Sequence, residues 1–313
     1  MIIPVIMSSD KTQLTHFHDK QAYLVYLTIR DIPKDVCWKP SWHAQLLIAY
    51  LPTTKLEGIS NKSGRCYAVA NLFHACMGNV LDLITSVGET GLPMMSGDRV
   101  WWQCHPILAI FIGDYPKQTL VTCTYNGWCP KCLVTPNKLG ESQLFLPCSW
   151  SNAIKTHYLA DDNNVHTFHH TCHQAGLKPI YQPFWKLFPL SNIFVSVIPD
   201  ILHQLLQEMI KHVIKWLVNI YGSAVINSCC KALPPNHKIA LFTKRIATLL
   251  RVSGQEHKRM CTIILRLIID LLLPSSCIVS ICSFLSLMCL GNLPVWLHMA
   301  HTVNSKCFLY SAI

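Results

Sequence analysis

Apolar and polar positions divide this chain into a strand-rich first part and a helical last part. Residues 2–7 (IIPVIM) and 22–29 (AYLVYLTI) are short, rich in β-branched and aromatic residues and bounded by polar turns, so each predicts a strand. AQLLIAYLP (44–52) predicts a third, stopped by Pro52. From 66 to 86, CYAVANLFHACMGNVLDLITS, apolar positions recur at helical spacing and predict a helix. HPILAIFIGD (105–114) is a continuous apolar run, the pattern of a strand buried on both faces. The order is three strands, a helix and a fourth, central strand, which is an α/β arrangement. Residues 133–190 are rich in Pro, Ser, Asn and His and read as loops. PDILHQLLQEMIKHVIKWLVNIYG, from Pro199 to Gly222, carries a plausible cap at each end of a helix, and two further helices are expected over 236–252 and 254–273.

Composition narrows the setting. The 313 residues suffice for one large domain or two smaller ones. Charged residues make up 13% against roughly 25% in average soluble proteins, and the formal charge of +10 favours an anionic partner such as nucleic acid or an acidic membrane. Sixteen cysteines would suggest disulfides in a small secreted protein. The opening MIIPVIMSSD, however, has no basic region and too short an apolar run for a signal peptide. Free cysteines in a reducing compartment are therefore expected. Leu271 to Leu290 lacks charge and is long enough to cross a bilayer, although Pro274 and five serines weaken it. That stretch carries the alternative of a small membrane-anchored protein.

Two sets of residues could carry chemistry. Asp10 is expected just after the first strand and Asp114 just after the fourth. Strands adjacent in space can bring such carboxylates together at one end. Paired carboxylates repel unless cations neutralise them, and such sites hold two Mg2+ about 3.5–4 Å apart for in-line phosphoryl transfer. The plainer reading is that both are turn formers. Cys129 and Cys132 flank Pro130-Lys131 and resemble half of a structural zinc site. His166, His169, His170 and His173 could complete it. His203 and His212 are another option, but nine residues on a helix put them on opposite faces. Lys231, Lys238, Lys244, Arg245, Arg251, Lys258 and Arg259 either track a phosphate backbone or form a solvated face.

Taken in order, SSDKTQLT, YLVYLTIRDIPKD, AQLLIAYLPTTKLEGI, NLFHAC, HPILAIFIGDYPKQ, CPKC, PIYQPFW and PDILHQLLQEMIKH resemble the Plavaka transposases, over about residues 2–270. These belong to the Kyakuja-Dileera-Zisupton group of fungal DNA transposons, related to the CACTA elements. The resemblance implies a ribonuclease H-like core of DDE type, a nuclear setting, DNA as partner, and an acidic triad using Mg2+ or Mn2+. Asp10 matches the first acid, Asp114 the second, and Cys129 and Cys132 the Cys-x-x-Cys that follows, with Zn2+ as its possible ion. The family's later His pair and glutamate lie in segments resembling KLHSLLHY and YNTE, and neither occurs here. Asp200 and Glu256 are the in-chain candidates for the third acid, and His203 is a further candidate metal ligand. A homo-oligomer is possible.

Departures from the family pattern carry their own expectation. Cys37, Trp38, Trp42, Cys66, Trp101, Trp102, Gln103 and Trp128 stand where family members usually have arginine. Single C-to-T changes in arginine codons would produce that set. After about residue 272 the family pattern stops, as in a shifted frame or unspliced sequence. The expectation is a truncated, decayed transposase copy without catalysis. Its parts are a ribonuclease H-like fragment (1–132), a loop-rich insert (133–190), a helical region (191–270) and an apolar tail (271–313). The alternative from the binding class is a zinc-stabilised DNA-binding remnant.

Overall fold

The structure, a computed structural model, describes residues 1–15, 20–37, 39–138, 143–162, 164–188, 190–200, 202–203 and 210–234, and beyond them 246, 253, 256, 257, 259, 260 and 263. The chain divides into two compact units, residues 1–137 with 143–198, and residues 138–142 with 199–313.

The first unit is built on a five-stranded mixed sheet. Its strands are β1 (Ile2–Gln13), β2 (Gln21–Ile29), β3 (Leu46–Pro52), β4 (Leu92–Met95) and β5 (Trp101–Ile112), in the order β3-β2-β1-β5-β4. β1 pairs antiparallel with β2 and parallel with β5, so β1 is the central strand. The short α1 (Lys34–Cys37) lies between β2 and β3. The parallel crossover runs through α2 (Lys62–Thr90), a helix longer than its apolar pattern alone indicates. Asn61 caps its start by accepting hydrogen bonds from the Ser63 and Gly64 amides, and Gly91, at φ 81°, ends it. Ala70, Phe73, Met77 and Leu81 of α2 join Met7, Val25, Leu51, Leu108 and Phe111 of the sheet in one buried cluster. Close approach is possible because Gly88 has no side chain: a Cβ there would lie 2.8 Å from the Pro106 carbonyl. Among the described helices, α2 is the one long and apolar enough by itself to cross a membrane.

The fourth expected strand needs correction, and the sheet has one strand more than the apolar pattern predicts. The run over 105–114 is not buried on both faces, since within it Leu108 and Phe111 are buried, Ile112 is exposed and the remaining residues are half-buried. β4 also escaped notice. It has four residues, one of them proline, and its position at the edge needs no alternating pattern.

Residues 133–190 are more ordered than their polar composition implies. They contain α4 (Trp150–Tyr158) and α5 (Val165–Gln174), capped by Ser149 and Asn164 respectively, after α3 (Tyr115–Val121). α6 (Ile193–Ser196) follows. Both α4 and α5 are short and polar, so each buries only a narrow stripe, such as Ala153 or Phe168 and Cys172. Trp185 is fully buried and donates its indole N–H to the Val121 carbonyl at 2.7 Å.

In the second unit, α7 (Ile210–Tyr221) and α8 (Ser223–Ala232) meet at 110° across Gly222, whose φ of 82° suits glycine. Gly222 therefore ends one helix and begins the next. The helix expected over 236–252 and the apolar stretch 271–290 lie outside the described residues, apart from Ile246. Of the helix expected over 254–273, residues 256, 257, 259, 260 and 263 are described and helical.

Candidate active site

β1 and β5 run parallel and their last paired residues are Ser8 and Ile112, so Asp10 and Asp114 each follow that pair by two residues at the same end of adjacent strands. Asp10 lies within β1 and not after it, because β1 continues against β2 as far as the Gln13–Gln21 pair. Asp114 does follow β5, and caps the N-terminus of α3: its Oδ1 accepts the Lys117 amide at 2.9 Å. Asp10 Oδ1 accepts the Lys11 amide at 2.7 Å. No described residue donates to either Oδ2. The turn-forming and acid-pair readings of Asp114 are thus compatible.

Tyr23 and Lys117 face both acids. Burial raises the Tyr23 hydroxyl, and the charges of Asp114 and Asp10 raise it further. Burial pushes the Lys117 amine down to about 7, while Asp114 and Asp10 oppose that shift. The buried Gln118 ties the start of α3 to the chain beyond α6, donating from Nε2 to the Gly113 and Ile198 carbonyls, each at 2.9 Å. Hard oxygen donors of this kind suit Mg2+ or Mn2+. Two such ligands are on hand here, and among the described residues no group of three or more His, Cys, Asp or Glu side chains is placed to hold an ion.

The cysteine turn is well formed. Gly127 takes φ 88°, and the Lys131 amide donates to Cys129 Sγ at 3.4 Å. Contact with the Cys132 thiol, together with burial, pushes the Cys129 thiol up. A third thiol, Cys148, shares a cavity of about 360 Å³ with these two. It arrives by backbone pairing, with Cys132 bridging to Pro147 and the Cys148 amide donating to the Lys131 carbonyl at 2.9 Å. Burial and the neighbouring Cys132 raise the Cys148 thiol to about 12. Lys131 fastens the turn to the body, its ammonium donating to the carbonyls of Phe194 (2.5 Å), Val195 (3.2 Å) and Val197 (2.8 Å).

Other candidates take local partners. His166, His169, His170 and His173 lie on α5, where His169 packs edge-on to Tyr67 and His173 to Tyr125. In the second unit, Asp200 accepts the His203 amide on Oδ1 and pairs with His203 Nδ1 through Oδ2, both at 2.9 Å. Glu256 accepts from the Ser253 amide and hydroxyl, as in a helix cap. His212 packs against Trp216. Lys238, Lys244, Arg245, Arg251 and Lys258 lie outside the described residues.

Sequence reasoning passed over Lys117, Tyr23, Lys131 and Cys148. A lysine three residues after an Asp cap reads as surface, and Cys148 has no paired spacing to mark it.

A protein-family model described as Plavaka transposase matches residues 1–217. That span includes Asp10, Asp114, Cys129, Cys132, Asp200 and His203, and stops short of Glu256. A comparison with curated proteins gave no match.

Proposed function

From the membership of this chain in the Plavaka transposase family, we propose that its first unit is a ribonuclease H-like catalytic core acting on transposon DNA. The family suggests a DNA transposase, a DNA-binding role and a nuclear protein. The finer reading rests on one observation: β1 and β5 are parallel neighbours whose last pair is Ser8–Ile112, and Asp10 and Asp114 each follow it by two residues. The antiparallel β1-β2-β3 meander, followed by a helical crossover to a parallel strand, supports the same fold. A bound Mg2+ or Mn2+ would activate water or a 3′-hydroxyl for attack on a phosphodiester. Asp10 and Asp114 would hold it, each carboxylate being oriented by a backbone amide that donates to its Oδ1.

Activity in this chain is proposed to be weak or absent. Both oxygens of Asp200 are engaged by His203, and Glu256 is engaged by Ser253. Trp42, Trp101 and Trp102 are 58%, 68% and 44% exposed, which fits positions that once carried charge and supports the decayed-copy reading. Labelled DNA incubated with Mn2+ and either this chain or Asp114→Ala tests the assignment. A weak, metal-dependent cleavage lost in the variant is expected, and equal signals would remove the catalytic claim.

A second reading, a DNA-binding remnant stabilised by Zn2+, would draw on Cys129 and Cys132, with Cys148 lining the same cavity, while among the described residues no three such side chains are already placed around one ion. Stoichiometric zinc retained through gel filtration and lost in Cys129→Ser supports it; unchanged folding of metal-free protein counts against it.

A further inference from the structure

Three residues beyond Asp114, Lys117 carries a buried amine that the two-carboxylate reading leaves without a task. Lys117 is 3% exposed, and its Nζ is buried with no hydrogen-bond partner. The ammonium lies 3.3 Å from the ring centroid of Tyr23 and 4.4 Å from that of Phe73, faces that attract a cation without donating or accepting a proton. The stem is accommodated by a missing side chain, since a Cβ on Gly113 would come within 2.7 Å of Lys117 Cγ. The Lys117 amide donates to the capping Asp114 Oδ1 at 2.9 Å, so the lysine is tied to one acid through its backbone as well.

An isolated buried charge is costly, and such a lysine persists only where opposite charge compensates it. The compensating charges are Asp114 first and Asp10 second, with Lys11 acting against them.

We infer that Lys117 is a resident counter-cation of the Asp10–Asp114 pair, a positioning residue that offsets one carboxylate charge and holds divalent-ion affinity below that of two uncompensated acids. The inference rests on the metal-binding reading of the pair. Two carboxylates without the lysine present two negative charges to an entering ion; with the lysine protonated, as in slightly acidic buffer, they present one. Buried charges are weakly screened by solvent, so removing this repulsion should tighten divalent-ion binding by about tenfold. A purely space-filling lysine would leave the affinity where it is.

The test is Mn2+ binding by electron paramagnetic resonance or calorimetry, without DNA and in slightly acidic buffer, on the unaltered chain, Lys117→Met and Asp114→Ala. Methionine keeps the unbranched stem against Tyr23 and Phe73 and removes only the charge. Tighter binding by Lys117→Met, with loss in Asp114→Ala, supports the inference. Unchanged or weaker binding by Lys117→Met, with loss in Asp114→Ala, overturns it and leaves the acid pair standing. Unchanged binding by Asp114→Ala overturns the pair reading and the inference with it. Circular dichroism checks the fold of each variant, and Lys117→Leu carries the same expectation should methionine not be accommodated.

Discussion

The Lys131 ammonium donates to the Val197 carbonyl at 2.8 Å, fastening the cysteine turn to the segment that bridges to Phe111 of β5. Phe194 and Val195 carbonyls share the same ammonium. Hydrogen bonds involving a charged group contribute about 1.5–3 kcal/mol each, though those sharing one ammonium are not additive. Lys131→Met should therefore lower unfolding free energy by roughly 2–3 kcal/mol in urea titrations. Lys138→Met, outside this contact, serves as control.

Asp114 has two separable duties. Asp114→Ala removes the cap of α3 and should cost about 1 kcal/mol, whereas Asp114→Asn keeps a capping oxygen and should cost a few tenths. Both remove the charge proposed to hold a metal. Thermal melts should separate the two variants, while Mn2+ binding should be lost in both.

Acid should destabilise the first unit through two buried histidines. Burial lowers His74 to about 3 and His157 to about 4 from an ordinary 6.5. His74 Nε2 meets the Leu120 carbonyl, and His157 Nδ1 meets the Ile180 carbonyl. The unfolded chain takes up these protons first, so stability is full above pH 6.5 and falls as pH drops toward 4. The slope is up to about 1.4 kcal/mol per pH unit for each histidine. Chemical denaturation at a series of pH values should reveal the decline, and His157→Gln should reduce its slope.

Exposed tryptophans offer a gain-of-contact test. Trp101→Arg and Trp102→Arg should each strengthen binding to DNA and steepen its salt dependence by about one unit of slope. Trp102 loses one hydrogen bond to Ser96 Oγ (3.1 Å), so its stability change should stay near 1 kcal/mol. Fluorescence anisotropy across a salt series measures the first effect.

Thiol labelling should follow burial. Cys66 is exposed, whereas Cys123, Cys129 and Cys172 are buried, and burial raises Cys172 to about 12. Brief alkylation with iodoacetamide followed by peptide mass analysis should mark Cys66 before those three.

How much of this was legible depends on the length scale of each signal. β2, β3 and α2 repeat a pattern over several residues, and apolar periodicity found them. β4 is too short to repeat anything, and α4 and α5 owe their helicity to the Ser149 and Asn164 caps and to narrow buried stripes. Asp114 could be found because a carboxylate ending an apolar run stands out. Lys117 could not, because its burial depends on Gly113, Tyr23 and Phe73, which come from three separate parts of the chain. Cys148 likewise depends on a backbone pairing across a long sequence gap.

The pairing of β1 with β5 slips by one residue between Val5 and Ile6, passing from Val5–Leu108 to Ile6–Ile110. Had the strands kept their first alignment, Asp10 would stand beside Gly113 and the second acid would lie one step out of line. The extra residue, Ala109, has no chemistry of its own. It acts as a spacer that brings two independently placed carboxylates into step, so a deletion far from either acid would uncouple them as surely as replacing one.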